Sequence, residues 1–98
     1  MEFTKPSADG FTVYSKSGCV NCNIVKKQIK EKNFLMNEIN CDEYILEDKE
    51  GFLKFVENLT GISHKTFPIV FYEKKYIGGL IDTSNYIEKL MLSFEDNF

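Results

Sequence analysis

The stretch Lys16-Ser17-Gly18-Cys19-Val20-Asn21-Cys22 constrains this chain most, because it stands where a short apolar strand gives way to a lysine-rich helix. Two cysteines three apart at a helix N-terminus lie about one turn from each other, close enough to close into a small disulfide. That pattern points to a dithiol redox centre. Cys19 has the better electrostatics: free backbone N–H groups, the positive end of the helix dipole and Lys16 three residues upstream all favour its thiolate. It is the expected nucleophile. Cys22, a turn inside the helix, can hydrogen-bond to that thiolate and later attack a mixed disulfide to release the product. Val20 and Asn21 leave backbone N–H groups available and add no charge.

A Cys-x-x-Cys pair can also be half of a zinc site, with Cys41 and His64 completing a three-sulfur, one-nitrogen set. Structural zinc sites usually bring a second close ligand couple, whereas Cys41 and His64 stand alone and far apart. Redox chemistry, with no metal, is the reading adopted.

A chain of 98 residues makes one small domain, and 43% hydrophobic content with nine Phe and five Tyr is enough for a core. The net charge of −3 comes from 15 acids and 12 lysines, which are scattered rather than striped. Nucleic-acid binding is not expected. Three cysteines beside an ordinary core do not read as the disulfide scaffold of a secreted mini-protein. Residues 1–8 lack the apolar run of a signal peptide, and no stretch is long enough to span a bilayer. These features lead us to expect a cytoplasmic monomer with no membrane partner.

Residues 1–9 read as a short polar N-terminal extension, poorly ordered, before a single domain over 10–98. Gly10 to Ser15 alternates Phe11 and Val13 against Thr12 and Tyr14, the period of a strand. Cys22 to Lys32 places Val25 and Ile29 on one face and lysines around the other, an amphipathic helix with a plausible stop at Asn33. Leu35 to Asn40 reads as a second strand. A second helix follows from the acidic run Asp42 to Asp48, carries Phe52, Phe55, Val56 and Leu59 at helical spacing, and closes at Thr60-Gly61. Ile69 to Tyr72 is a continuous apolar run typical of a central strand. A polar turn at Glu73-Lys74-Lys75 leads into Tyr76-Ile77, making a hairpin. From Asp82 a last helix carries Ile87, Leu90, Met91 and Phe94 on one face. This order predicts an α/β protein with a four-stranded mixed sheet flanked by three helices.

Four elements taken together resemble a dithiol glutaredoxin, with a Cys-Val-Asn-Cys active site in a thioredoxin-like fold. They are Tyr14-Ser15-Lys16, the cysteine pair, Thr66-Phe67-Pro68 before an apolar strand, and Gly78-Gly79 followed by Asp82. The likeness runs from about Gly10 to Phe94. It implies that Pro68 is cis and that the backbone of Phe67 faces Cys19, where an extended cysteinyl peptide can pair with it. It further implies a glutathione site at Lys16, Thr66, Phe67, Pro68, Gly79, Ile81 and Asp82. Lys16 would meet the glycyl carboxylate. The N–H groups of Ile81 and Asp82 would hold the γ-glutamyl carboxylate, and the Asp82 side chain would pair with the amine. Gly78 and Gly79 would allow backbone to approach the ligand closely. Lys16 can instead be a solvated cation, and Asp82 a simple N-cap.

The resemblance implies glutathione-dependent reduction of protein disulfides and glutathione mixed disulfides. Glutathione would be the co-substrate, no cofactor would be tightly bound, and clients would be disulfide-containing or glutathionylated proteins, with ribonucleotide reductase among those served in the family. Departures from the family pattern keep alternatives open. The Val20-Asn21 spacer is closer to that of glutaredoxin-like redoxins reduced by thioredoxin reductase, although those usually lack the double glycine and aspartate. Binding of an iron–sulfur cluster is known in the wider family. The register puts a second-helix ligand contact near Leu53 or Lys54 and leaves it unassigned. His64 sits in a lengthened loop where exposure is the default and a substrate contact the alternative, and Cys41 reads as structural or incidental, with an accessory redox role as the alternative.

Overall fold

The computed structural model describes residues 1–95, with side chains through residue 93. Its elements run β1 (Phe11–Ser15), α1 (Val20–Glu31), β2 (Met36–Asn40), α2 (Asp42–Thr60), β3 (Ile69–Tyr72), β4 (Lys75–Gly78) and α3 (Leu80–Glu95). The sheet order is β2-β1-β3-β4, with β1 parallel to β2 and antiparallel to β3, and β3 antiparallel to β4. This is the mixed four-stranded sheet and three helices expected.

All five residues of β1 are buried, because both faces of this inner strand are covered. Its alternation sorts the core into two layers. Phe11 and Val13 join Val25 and Ile29 of α1, Val70 of β3 and Ile87 of α3. Tyr14 joins Phe52 and Val56 of α2, Ile69 and Phe71 of β3, and Cys41. Two-sided burial also explains why Ile69 to Tyr72 reads as a nearly unbroken apolar run.

Four departures from the sequence reading have physical causes. Helix α1 begins at Val20 rather than Cys22, because Cys19 itself is the N-cap. Helix α3 begins at Leu80 rather than Asp82, its first turn closed by the Thr83 N–H donating to the Gly79 carbonyl at 3.0 Å. Asp82 therefore lies inside the first turn rather than at the cap. The hairpin turn is Glu73-Lys74, both at positive φ (49° and 71°), so Lys75 already belongs to β4 and pairs with Tyr72. Within α2 the backbone breaks at Asp48 (φ −154°, ψ 66°), whose Oδ1 accepts the Gly51 N–H at 3.1 Å. Asp48 thus starts a second helical run inside α2, and a Cβ on Gly51 would collide with its carboxylate. Gly61, in the left-handed conformation, ends α2 as expected.

The N-terminal stretch is docked rather than loose. Phe3 packs on Tyr44, Phe52 and Phe55 at ring-centroid distances of 5.0, 5.6 and 5.3 Å. The buried Tyr14 needs a partner for its hydroxyl and donates to the Thr4 carbonyl at 2.6 Å. Polar composition hid this docking, since one aromatic and the hydrogen bonds of Thr4 and Ser7 to Tyr14, Tyr44 and Thr12 carry it. Phe94, expected on the apolar face of α3, has its side chain outside the described residues. Among the described residues, no helix is long and apolar enough to cross a membrane.

Candidate active site

Strand β1 delivers the chain to Lys16, and a turn through Gly18 at φ 72° brings Cys19 to the head of α1. Cys19 has extended backbone angles (φ −96°, ψ 106°), and its sulfur occupies the place of a capping oxygen. Its Sγ accepts the Cys22 N–H at 3.1 Å, while its carbonyl accepts the Asn23 N–H at 3.2 Å. The two cysteines are joined as a disulfide, with Cα atoms 5.2 Å apart. Cys19 is partly exposed and Cys22 fully buried, so an incoming sulfur can reach only the first of the pair. When the pair is reduced, the N–H of Cys22 and the N-terminal end of α1 favour negative charge on Cys19 Sγ. Access and electrostatics therefore select the same sulfur.

Two elements distant in sequence fix the ground around it. The turn before Cys19 is tied to the start of α2: Asp42 Oδ1 accepts the Ser17 N–H at 2.9 Å and Oδ2 accepts its hydroxyl at 2.5 Å. These bonds from Ser17, helped by Asn40 and nearby Lys16, hold the Asp42 carboxyl below its ordinary titration range. The second element is Thr66-Phe67-Pro68, where the Phe67–Pro68 bond is cis as the family likeness implied. The Phe67 ring stacks on Phe52 at 6.0 Å with planes 4° apart, and Lys16 Nζ lies 5.9 Å from its centroid.

Phe67 divides two hollows. One, of about 370 Å³, is lined by Thr66, Phe67, Pro68, Gly79, Ile81 and Asp82, together with Asn21, His64 and Leu80. Six of the seven residues expected to hold a ligand thus meet in one place. Lys16, the seventh, lines the other hollow of about 270 Å³ with Lys49, Lys65, Phe52 and Leu53. Leu53 of the unassigned α2 pair reaches this hollow, whereas Lys54 is exposed and does not line it. One end of the combined groove is cationic and the other carries Asp82. Gly78 contributes differently from the expectation: at φ 136° it lies against the Asp82 side chain, which a Cβ would strike, so it makes room for that carboxylate.

His64 is not the exposed loop residue expected. It is half-buried, with its Nδ1 2.5 Å from the Tyr76 hydroxyl. Burial lowers its pKa below the ordinary histidine value, against the opposing pull of the Thr66 and Pro68 carbonyls and of Asp82. Burial and Asp82 raise the Tyr76 phenol. A phenol that keeps its proton and a neutral imidazole share one hydrogen here, the donor being set by the imidazole tautomer. Cys41 is fully buried at the head of α2, and burial pushes its thiol up to about 12. Its Sγ faces the Ile39 carbonyl at 3.5 Å. Among the described residues, no group of three or more His, Cys, Asp and Glu side chains is placed to hold a metal ion.

Sequence reasoning missed Lys49, Lys65, Asp42 and Tyr76 as parts of the site, and gave Ser17 and Asn21 no side-chain role. Lys65, adjacent to Thr66, carried a signal that could have been used. Lys49 comes from α2, distant in sequence from Lys16, and Asp42 meets Ser17 across 25 positions.

The glutaredoxin family model matches residues 11–77, which hold the dithiol pair, the cis-proline segment and all four strands but Gly78. The glutaredoxin-like protein NrdH of Lactococcus lactis subsp. cremoris is 36% identical over 59 residues, covering 60% of this chain and 71% of that protein. Among solved structures, glutaredoxin 1 from Francisella tularensis superposes with a TM-score of 0.72 at 22% identity, covering 83% of this chain and 94% of that one. A buckwheat glutaredoxin–glutathione complex superposes with a TM-score of 0.66 at 26% identity, covering 81% of this chain and 68% of that one.

Proposed function

The chain belongs to the glutaredoxin family, and from that premise we propose that it is a glutathione-dependent oxidoreductase reducing protein disulfides and glutathione mixed disulfides through Cys19 and Cys22. The observation that carries this reading is the divided groove lined by Lys16 and Asn21, which flank Cys19 in the chain. Glutathione has a thiol near its middle, a carboxylate at each end and one amine. The lysine-lined hollow suits its glycyl carboxylate, with Lys49 and Lys65 adding to Lys16. The opposite hollow offers N–H groups in the first turn of α3 for the γ-glutamyl carboxylate and Asp82 for the amine. The buckwheat relative was solved with glutathione.

In the first step the Cys19 thiolate attacks the glutathione sulfur of a mixed disulfide. That S–S bond breaks, the client thiolate leaves and takes a proton, and Cys19 carries glutathione. A second glutathione thiolate then attacks the bound glutathione sulfur, releasing glutathione disulfide and restoring the Cys19 thiolate. With a protein disulfide, Cys22 attacks the Cys19–client bond instead, the reduced client departs, and the Cys19–Cys22 disulfide forms for glutathione to reduce. The chain's contribution is a stabilised thiolate and in-line alignment of three sulfurs.

A second reading, reduction by thioredoxin reductase, is favoured by the Val20-Asn21 spacer and by the likeness to the NrdH protein. Turnover of a small glutathionylated disulfide with glutathione, glutathione reductase and NADPH separates the two. Wild type and Cys22→Ser should turn over and Cys19→Ser should not. Turnover only when thioredoxin reductase replaces the glutathione system would overturn the glutathione reading.

A further inference from the structure

We propose that Asp42 is a positioning residue for the nucleophile, holding through Ser17 the turn that sets Cys19 Sγ at the N-cap of α1. The inference rests on Cys19 being the attacking sulfur. Residues 16–18 are all exposed, and a Cβ on Gly18 would meet nothing within 4 Å, so packing does not hold this turn. Both hydrogen bonds of Ser17 end on the Asp42 carboxylate, one from the backbone and one from the hydroxyl.

Asp42 is itself fixed. Its N–H donates to Asn40 Oδ1 at 2.9 Å. Asn40 is paired with Ser15 at the end of the sheet, and the Cys41 N–H donates to the Ser15 carbonyl at 2.8 Å. A closed circuit results, from the end of β1 through the end of β2 and the first residue of α2 back to the turn before Cys19. Such a circuit transmits the rigidity of the sheet to a turn that packing leaves free.

The circuit has an electrostatic cost. Among the described residues, the charged group that acts on the carboxylate from outside α2 is Lys16, whose attraction to Asp42 competes with its attraction to a ligand carboxylate. A negative charge bound to Ser17, two residues before the nucleophile, also disfavours its thiolate. Retaining an acid there makes sense if its two acceptor oxygens matter more than its charge.

The two roles separate by substitution. Asp42→Asn keeps an acceptor for the Ser17 N–H and can donate to the Ser17 hydroxyl, while removing the charge. Asp42→Ala removes both. In a Cys22→Ser background, alkylation of Cys19 by iodoacetamide, measured against pH, reports the thiolate without glutathione or any electron donor. A wrong donor assignment therefore leaves this readout intact. Both variants should lower the apparent pKa of Cys19 by a similar amount. In the chain with Cys22 retained, Asp42→Ala should lower kcat/KM about tenfold, as expected when a reacting atom drifts by a fraction of an ångström. Asp42→Asn should recover most of that loss. Ser17→Ala, which leaves α2 untouched, should lose about threefold and keeps the proposal testable if Asp42→Ala does not fold. Equal kcat/KM in Asp42→Ala, Ser17→Ala and wild type would overturn it, as would equal losses in Asp42→Ala and Asp42→Asn.

Discussion

Cys19 and Cys41 occupy the same position in their elements, the N-cap of a helix, yet their chemistry is opposite. Cys19 has extended capping geometry, its sulfur accepts a backbone N–H and solvent reaches it. Cys41 has a backbone near the helical basin (φ −103°, ψ 9°), makes no side-chain cap, and lies under Tyr14 and Phe52. Burial is the largest cause of its raised pKa, and Asp42 beside it adds to the effect. A helix N-terminus therefore does not by itself make a reactive thiol. What decides is whether water and substrate can reach the sulfur: a backbone hydrogen bond from Ser15 favours the Cys41 thiolate, and burial overrides it.

The strongest way to break the comparison is to delete each thiol. Cys19→Ser should lower turnover by more than about 1,000-fold. Cys41→Ala should leave turnover within about twofold and cost about 1 kcal/mol of stability. If the Cys41 variant lost activity in a folded protein, the two caps would not be functionally distinct.

Phe52 tests whether burial is what silences Cys41. It packs in the same layer as Cys41 and also stacks on Phe67. Phe52→Ala should cost about 3–5 kcal/mol in a denaturant titration. It should also make Cys41 reactive to iodoacetamide in the native state, where the buried wild-type thiol should stay unlabelled.

A smaller effect appears at high pH. The folded Cys41 thiol keeps its proton up to about 12, whereas the unfolded thiol loses it near about 8.5. Between those values the native state binds the extra proton, so stability falls as pH rises, by at most about 1.4 kcal/mol per pH unit. Urea titrations of wild type and Cys41→Ala across this window should diverge, with the variant showing the shallower decline. Parallel curves would deny that the thiol is insulated.

The smallest effect belongs to His64. Its folded pKa is depressed, so between that value and the unfolded one, about 6.5, the unfolded chain binds more protons. The contribution of His64 is then fully present above about pH 6.5 and is lost as pH falls through the folded pKa. His64→Gln should flatten the acid limb of a stability profile; an unchanged limb would contradict the burial assigned to the ring.

Much of this architecture was legible because it is local. Alternation in β1, the apolar run of β3 and the Cys-x-x-Cys at a strand-to-helix junction each express their environment within a few residues. Thr66-Phe67-Pro68 and the Gly78-to-Asp82 stretch were legible only through family likeness, and the fold brings them together beside Asn21 in one hollow. What stayed hidden arises from pairings across the chain. Asp48 breaks α2 by capping Gly51, Phe3 finds its pocket only once α2 is placed, and Asp42 reaches Ser17 only because β1 and β2 end side by side. His64 was misjudged because loop residues are usually exposed, and its partner Tyr76 comes from another element.

The most direct measurement is peptide mapping of the reduced Cys22→Ser protein after incubation with glutathione disulfide. One glutathione on Cys19 and none on Cys41 is the predicted result. No adduct, or comparable labelling of Cys41, would contradict the claim that the α1 N-cap sulfur alone is open to glutathione chemistry.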